Sequence, residues 1–165
     1  REWHHSVAHW MKDASAAIAD GLLLVVDYAL ESRRYYAPRR SDGTLLAYRR
    51  QAASSDVLRD AGSQDITAHL CLELLIEAAS EAGWMIAGQC RQGEALLALG
   101  LAERLTALQQ WPADQLAEAL RRREALLRLV DPSCLGELRW FAFHRSTTTG
   151  AEEGFLDTRF LREPA

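Results

Sequence analysis

The segment that most constrains the fold is GLLLVVDYAL, which occupies residues 21–30. An unbroken run of branched apolar residues is typical of a strand whose sheet is covered by helices on both faces. A buried helix segment would give a similar run, but Gly21 and the two adjacent valines favour a strand. The run ends at Asp27 and Tyr28. Open α/β sheets bind their ligands at the carboxyl ends of their strands, so these two residues are the first candidates for a binding site.

The remaining sequence alternates between helical and strand patterns. Apolar periodicity predicts helices over residues 6–19, 67–82, 92–110 and 112–131, and further strands at residues 84–88 and 137–145. Asp65 or Thr67 is the candidate N-cap of the second helix, and Gly100 interrupts the third. This order of helices and strands predicts an α/β fold.

Residues 31–66 interrupt this alternation. They contain paired arginines, Pro38 and the turn-like sequence SDG, followed by the short apolar segment TLLAY. We expect this region to be an irregular insertion with a short hairpin. The tail, residues 146–165, is rich in threonine, glycine and glutamate and is expected to be loose.

Length and composition limit the class of protein. A chain of 165 residues is one domain or part of one, and because it opens at Arg1 without a methionine we expect a fragment of a longer protein. The net charge of -4 argues against a general nucleic-acid binder, which needs a basic face. No apolar run approaches the roughly 20 residues that cross a bilayer. Cys71, Cys90 and Cys134 have neither disulfide nor zinc-site spacing and are interpreted as reduced thiols of an intracellular protein.

Most patterns that indicate catalysis or metal binding are weak or missing. His5 and His9 would share a helix face, but no third ligand is evident, so they are interpreted as surface histidines and no metal site is predicted. The sequence has no Gly-x-Ser-x-Gly elbow, and none of its ten glycines forms a Gly-x-Gly pair. Three arginines at residues 121–123 lie on a helix with a leucine face, which favours a solvated outer face, with a helical interface as the alternative.

A second polar cluster follows the insertion. The segment GSQDITAH, residues 62–69, places Asp65, Thr67 and His69 where the irregular region is predicted to enter a helix. Asp65 would then serve as a helix cap, and His69 would simply pack. If these groups instead converge with Asp27 and Tyr28 beside the end of a buried strand, they would bind the polar head of a substrate.

The order of several segments resembles the MidA-like family. In chain order they are GLLLVVDYA, YY, DGTLLAYRRQ, GSQDITAHLCLELLIEAASEAGW, RQGEALLALGL and LGELRWFAF, and the similarity covers about residues 5–145. The segments around QDITAH and GTLLAY are the specific parts. Members of this family are class I S-adenosylmethionine-dependent methyltransferases, and the mitochondrial members serve assembly of respiratory complex I.

The sequence also departs from the family pattern. Ala29 stands where the family usually has glycine, Gln51 where it usually has histidine, and LGELRWF begins at Leu135 where the family has a Met-Gly motif. The family's glycine-rich cofactor loop, its ribose-binding acid and its Asn-Glu motif all precede the Asp-Tyr strand, and none is present here. The resemblance therefore implies that residues 1–145 are the carboxyl-terminal half of a methyltransferase domain, with an insertion at about residues 31–66.

The resemblance implies a specific form of α/β fold. The three predicted strands would be the fifth, sixth and seventh of a class I Rossmann-like sheet, with the seventh antiparallel between the other two. This half would form a three-stranded mixed sheet with flanking helices, and one flank would stay apolar for the amino-terminal half. Helices would bury Val25 and Val26, while Asp27 and Tyr28 would emerge at the rim of the active-site cleft.

The resemblance also implies a reaction. S-adenosylmethionine would be the methyl donor, and an arginine side chain on a respiratory-complex subunit would be the acceptor. Asp27, Tyr28 and Thr67 would bind the substrate, and Asp65 and His69 would act in catalysis by orienting the acceptor and taking its proton. The cofactor-binding residues are not identified, and the fragment alone would be inactive.

The expected compartment is the bacterial cytoplasm or the mitochondrial matrix. The expected partners are a protein substrate, the amino-terminal half of the same protein and, in a homodimer, a second copy of the chain. The alternative function is a non-enzymatic assembly factor that keeps the fold and binds an acidic protein surface through the arginines of the insertion.

Overall fold

The computed structural model describes residues 2–50 and 52–146 of the chain. Apart from Ser146, the tail that is predicted to be loose lies outside the described residues. The chain divides into two compact units. Among the described residues, the first unit comprises residues 2–17, 27–50 and 52–84, and the second comprises residues 18–26 and 85–146.

Helices and strands alternate along the described residues in a mixed α/β fold. In chain order they are α1 (His5–Ala17), β1 (Gly21–Asp27), β2 (Ala29–Leu30), α2 (Ser32–Tyr35), β3 (Leu46–Arg49), β4 (Ala52–Ser54), β5 (Asp65–Thr67), β6 (Leu70–Cys71), α3 (Leu72–Glu81), β7 (Met85–Arg91), α4 (Gln92–Ala98), α5 (Leu101–Gln109), α6 (Leu116–Val130) and β8 (Arg139–Arg145). Short 3-10 helices occupy Pro38–Arg40 and Ala113–Gln115. Within the described ranges, no helix has the length and apolar character that a membrane span requires.

A three-stranded sheet organises the second unit. Its strand order is β1-β8-β7, and β7 pairs antiparallel with β8 with a register shift between Ile86 and Gly88. The last strand of the described residues, β8, is therefore the central one of this sheet. Phe141, Ala142 and Phe143 of β8 are completely buried, which makes this strand the centre of the unit's core.

The edge strand β1 is less buried than its apolar run predicts. Leu22, Leu24 and Val26 keep 40%, 41% and 42% of their surface exposed, while Leu23 and Val25 are half-buried. The prediction that helices bury Val26 is therefore wrong, and that for Val25 holds only in part. The burial alternates because successive side chains of a strand point to opposite faces, and one of these faces carries the exposed residues.

A glycine and a buried glutamine determine how the helices of the second unit are arranged. Gly100 lies between α4 and α5, as predicted, and its φ of +91° is a left-handed conformation that glycine adopts without strain. The buried Gln92 side chain donates hydrogen bonds to the carbonyls of Leu129 (3.0 Å) and Leu135 (3.1 Å), which holds the end of α6 against the start of α4. These contacts fix the helical layer of the unit.

Helix α6 exposes much of its leucine face. Leu116 and Leu120 are 57% and 56% exposed, and the helix has one buried residue, Ala119. The triple arginine forms the solvated face that the sequence predicts, since Arg121 and Arg122 both form ion pairs of 2.8 Å with Glu118. Exposed ion pairs of this kind contribute little to stability, because water and salt screen them.

The first unit contains two small sheets and two packed helices. Strands β3, β4 and β5 form an antiparallel sheet in the order β4-β3-β5, and β2 pairs with β6 in parallel. The predicted hairpin is confirmed as β3 and β4, but the insertion is more regular than predicted, because α2 and β5 also form there. Helices α1 and α3 pack together, with Met11 completely buried and Ser15 Oγ 2.7 Å from the carbonyl oxygen of Ala82.

The predicted start of the second helix is wrong. Helix α3 begins at Leu72 and has Cys71 as its N-cap residue, so neither Asp65 nor Thr67 caps it. The β-branched pair Ile66 and Thr67 lies in β5, where it pairs with β3. Pairing with a distant strand thus overrides the helical periodicity of this segment.

The histidines of α1 lie on its surface. His5 and His9 are both exposed, and His9 Nε2 lies 3.6 Å from the carboxylate of Asp13, one turn further along the helix. Among the described residues, no three His, Cys, Asp or Glu side chains are arranged to hold a metal ion.

We predict that Gly136→Ala destabilises the protein by about 2 kcal/mol or more, because an added Cβ would collide with the backbone of Val130 and Asp131, which cannot move independently. Urea-induced unfolding followed by circular dichroism measures the loss. Gly62→Ala is the matched control: its Cβ meets nothing within 4 Å, although its φ is +85°. That change should cost only about 1 kcal/mol, and equal losses for the two variants would contradict the packing described here.

Candidate functional site

The candidate site depends on a short parallel pairing in the first unit. Strand β2 pairs with β6, and the backbone N–H of Leu70 donates a hydrogen bond of 2.8 Å to the carbonyl oxygen of Tyr28. Residue 70 follows His69 directly, and residue 28 follows Asp27 directly. The pairing therefore brings the end of β1 next to the segment that carries His69.

A small core supports this pairing. Leu30 of β2 and Cys71 of β6 lie opposite each other and are 7% and 0% exposed. Tyr35 of α2, 3% exposed, packs with them, and the half-buried Leu74 of α3 lies against the cluster. Because these side chains come from β2, α2, β6 and α3, contacts between four elements hold the backbone that carries Tyr28 and His69.

Asp27, Tyr28 and His69 come together above this core. The rings of Tyr28 and His69 have centroids 6.2 Å apart and are tilted by 58°. Tyr28 is 45% exposed, and Asp27 Oδ1 accepts a hydrogen bond of 2.6 Å from the Tyr28 backbone N–H. A carboxylate, a phenol and an imidazole thus share one partly exposed surface.

Burial of His69 favours the neutral imidazole. Burial is the largest reason why the pKa of His69 lies below its usual 6.5, and the Arg40 cation lowers it further. The Asp27 and Glu2 carboxylates oppose this shift, while Arg34 adds a smaller lowering effect. A neutral imidazole at neutral pH is able to accept a proton.

Asp65 and Thr67 lie on β5, the strand that precedes His69. Both are exposed residues of β5, with Asp65 opposite Tyr48 and Thr67 opposite Leu46 in the antiparallel pairing. Asp65 lines an open groove of about 440 Å³. The other residues of this groove are Tyr48, Arg49, Arg50, Gly62, Ser63 and Gln64. Asp65 precedes His69 by four residues, a length over which extended chain spans on the order of 13 Å.

Glu2 is a residue of the site that sequence reasoning missed. Its Oε1 accepts hydrogen bonds from the backbone N–H groups of Thr44 and Leu45, the latter at 2.6 Å, and its Oε2 accepts one of 2.9 Å from the Tyr35 hydroxyl. Gly43 makes room for this carboxylate, since a Cβ there would lie 2.8 Å from Glu2 Cδ, and its φ is +91°. The glycine of the SDGT turn was the only signal in the sequence for this contact.

The Glu2 carboxylate stays ionised in acid. Burial opposes ionisation, but hydrogen bonds from Thr44, from its own backbone and from Tyr35 and Leu45 together lower the pKa of Glu2 to about 2. Burial, and next the hydrogen bond to Glu2, raise the pKa of Tyr35 to about 12. The pair therefore consists of a carboxylate and a neutral phenol over the whole physiological range.

The described residues do not fit the nucleoside part of S-adenosylmethionine. Close approach of backbone to such a ligand requires glycine after a strand, but β1 ends at Asp27 and is followed by Tyr28 and Ala29. Gly93 follows β7, yet the chain itself fills the space there, because a Cβ would lie 3.1 Å from the carbonyl oxygen of Val130. Neither position therefore offers the close backbone approach that this part of the ligand needs.

We predict that the free energy of unfolding falls as the pH drops from about 4.5 to 2, because Glu2 must take up a proton that its folded environment disfavours. Because the pKa of Glu2 is lower in the folded protein than in the unfolded protein, the ionised carboxylate stabilises the fold at pH values above its unfolded pKa. This contribution is lost as the pH falls through the folded pKa. After allowing for partial exposure, we expect about 1–2 kcal/mol from this residue. Urea unfolding of Glu2→Gln across this range should lack that part of the pH dependence, whereas Glu81→Gln on the exposed face of α3 should keep it.

We also predict that charge changes move the titration of His69 in opposite directions. Arg40→Gln should raise its pKa because a repelling cation is removed, and Asp27→Asn should lower it because a stabilising anion is removed. Histidine ring signals followed by NMR against pH give both midpoints, with Arg33→Gln as an exposed control on α2. Identical midpoints in all variants would show that these groups do not surround His69.

Known proteins similar to this chain are methyltransferases or their structural relatives. The model of the family described as "Putative S-adenosyl-L-methionine-dependent methyltransferase" matches residues 1–90, more than half of the chain. The comparison with curated proteins found no match.

Two crystal structures of proteins from Burkholderia thailandensis share the fold. An uncharacterized protein has a TM-score of 0.76 and 28% sequence identity, with 87% of this chain and 38% of that chain covered. A protein of the same superfamily bound to S-adenosyl-homocysteine has a TM-score of 0.80 and 28% identity, with 97% of this chain and 39% of that chain covered. This chain therefore spans less than two-fifths of the length of either protein. On the match of the family model, the chain belongs to a family of S-adenosyl-L-methionine-dependent methyltransferases.

Proposed function

We propose that the chain is part of an S-adenosylmethionine-dependent methyltransferase which, as the full-length protein, methylates an arginine side chain of a protein linked to assembly of a respiratory complex. The observation that carries this proposal is the convergence of Asp27, Tyr28 and His69 at the end of β1, in a chain of a methyltransferase family. The working compartment would be the bacterial cytoplasm or the mitochondrial matrix.

The acceptor side chain binds beside Asp27 and Tyr28. A guanidinium carries N–H donors in a planar fork, and a carboxylate accepts two of them in a charge-assisted contact. Asp27 keeps one oxygen on the Tyr28 backbone N–H, so its carboxylate has a fixed direction and further lone pairs for the acceptor. The Tyr28 hydroxyl provides a second polar contact at an exposed ring.

His69 takes the proton that the acceptor nitrogen releases. The lowered pKa keeps its imidazole neutral at neutral pH, and the adjacent Asp27 carboxylate stabilises the imidazolium once it forms. Asp65 and Thr67 pair with β3, and we assign them to contacts with the substrate chain beyond the acceptor residue. Asp65 keeps its place as a candidate catalytic group only if the substrate draws β5 toward His69.

The donor site belongs to residues outside this chain. The chain spans 38–39% of its two structural relatives, and one of these binds S-adenosyl-homocysteine. The strand order β1-β8-β7 and the exposed apolar residues of β1 support the hypothesis that the chain is the carboxyl-terminal half of a class I Rossmann-like domain. These residues would then bind and orient the acceptor while the other half holds the donor.

We expect Asp27→Asn in the full-length protein to lower kcat/KM for methyl transfer by about 10- to 100-fold, because an amide no longer holds the guanidinium by charge. His69→Gln should lower kcat by about 100-fold or more, as expected for loss of a proton acceptor. Transfer of a radiolabelled methyl group to protein substrate measures both rates, and isothermal titration should show unchanged binding of S-adenosylmethionine. Asp42→Asn, a change at an exposed carboxylate of the insertion, is the control. Full activity of both site variants would refute this assignment.

Asp65→Ala in the full-length protein tests whether Asp65 has a different role from His69. We expect a higher KM with little change in kcat, because Asp65 lies in the groove of β5 and is assigned to substrate contacts. Unchanged kcat and KM would remove Asp65 from the site altogether.

A non-enzymatic assembly factor is the second candidate function. The observation in its favour is the group of four arginines on α2 and the following 3-10 helix, of which Arg33, Arg34 and Arg39 are exposed. Such a group would bind an acidic protein surface. Failure of the full-length protein to bind S-adenosylmethionine by isothermal titration would favour this function over catalysis.

A further inference from the structure

The contact between Glu2 and the turn at Gly43 reaches the candidate site through one further hydrogen bond. The backbone N–H of His69 donates to Thr44 Oγ1 at 2.9 Å, and Thr44 is 5% exposed. The backbone N–H of Thr44 in turn donates to Glu2 Oε1. The buried Thr44 thus links the Glu2 carboxylate to the backbone of His69.

The geometry of the turn depends on the carboxylate. Two successive backbone N–H groups, of Thr44 and Leu45, point at Glu2 Oε1, and such an arrangement is stable only when an anion or water satisfies both donors. The Tyr35 hydroxyl holds the other oxygen at 2.9 Å, so the carboxylate has little freedom to move. With Glu2 in place, the Thr44 side chain is fixed toward His69.

Anchoring of the segment that carries Glu2 is a simpler role for this contact, but that role does not account for the further hydrogen bond to His69. An anchor requires only that Glu2 reach the turn, whereas here the turn residue Thr44 also sets the backbone at His69. The residue after His69, Leu70, is fixed by the hydrogen bond from its backbone N–H to the carbonyl oxygen of Tyr28. Two hydrogen bonds therefore hold the backbone at His69. One joins Leu70 to Tyr28 at the end of β1, and the other joins the His69 N–H to Thr44, which Glu2 holds in turn.

We propose that Glu2 is a positioning residue of the active site, which holds Thr44 so that the His69 imidazole stands beside Tyr28 and Asp27. This inference rests on the proposed function, because it concerns the group assigned as the proton acceptor. Glu2 does not touch the substrate. Its effect on methyl transfer passes entirely through Thr44 and the backbone of His69.

Four variants of the full-length protein test the connection one contact at a time. Glu2→Ala removes the anion, and Gly43→Ala pushes it out of the turn while leaving its charge in the protein. Thr44→Val removes only the hydroxyl that accepts from His69. Glu2→Gln keeps an oxygen for the two N–H groups and is the conservative variant. Glu73→Gln is the control, since Glu73 accepts from Ser32 N and Oγ at 2.7 and 2.8 Å.

We expect Glu2→Ala, Gly43→Ala and Thr44→Val to lower kcat by about 10- to 100-fold with little change in KM, because a proton acceptor displaced by about 1 Å costs a rate of this order. Glu2→Gln should recover most of the activity, and Glu73→Gln should match the wild type. A purely structural role predicts instead that activity follows the amount of folded protein. Urea midpoints measured on the same samples separate these cases.

The NMR signals of His69 give a second readout that does not require methyl transfer. We expect the nuclear Overhauser effect between the Tyr28 and His69 rings to weaken in Glu2→Ala and Thr44→Val, and to persist in Glu2→Gln. The charged groups around His69 are Arg40, Asp27, Glu2 and Arg34. Thr44→Val leaves all of them in place, so its effect reports position and not charge.

The two readouts also distinguish this inference from the proposed function. If the wild type transfers no methyl group, the proposed function fails, and the ring contact alone decides whether Glu2 positions His69. If Glu2→Ala is too unstable to study, Glu2→Gln and Thr44→Val carry the test. An unchanged ring contact and unchanged kcat in folded Thr44→Val would overturn the inference.

Discussion

The hydrogen bond from the Leu70 backbone to the Tyr28 carbonyl is the interaction on which the candidate site depends. It belongs to a parallel pairing of only two residues per strand, which would be too weak to persist alone. Its stability comes from the buried cluster of Leu30, Tyr35 and Cys71 directly beneath it. An apolar core of a few side chains thus determines that an acid and a phenol at the end of β1 meet a histidine some 40 residues later in the chain.

The electrostatics of the first unit follow from how its carboxylates are held. Glu2 is surrounded by donors and stays charged, whereas Asp27 has one backbone partner and is left free for a ligand. His69 lies between cations that disfavour its protonation and anions that favour it. Burial keeps the imidazole neutral, and the nearby anions stabilise the imidazolium once it forms, which suits a group that accepts a proton during a reaction.

Local sequence patterns predicted the elements that depend on local interactions. The break at Gly100 and the strands β7 and β8 follow from glycine conformation and apolar runs. The sequence left open whether His69 meets Asp27 and Tyr28, because that meeting depends on the distant pairing of β2 with β6. The segment from Asp65 was predicted wrongly because its pairing partner, β3, lies some 20 residues earlier and no periodicity in residues 65–71 indicates it. Glu2 was missed because its partners are backbone N–H groups, which every residue carries and no sequence pattern distinguishes.

Cross-linking of β2 to β6 tests the central pairing most directly. In the full-length protein with Cys134 replaced by serine, the double variant Ala29→Cys, Leu70→Cys places two thiols on directly opposed residues of neighbouring strands, within the range of about 4.4–6.8 Å between Cα atoms that a disulfide spans. The account predicts rapid and nearly complete cross-linking under mild oxidation, seen as a mobility shift that a reductant reverses, and little cross-linking for Ala29→Cys, Ile66→Cys. Efficient cross-linking of the second pair, with none for the first, would mean that the end of β1 does not meet the segment of His69.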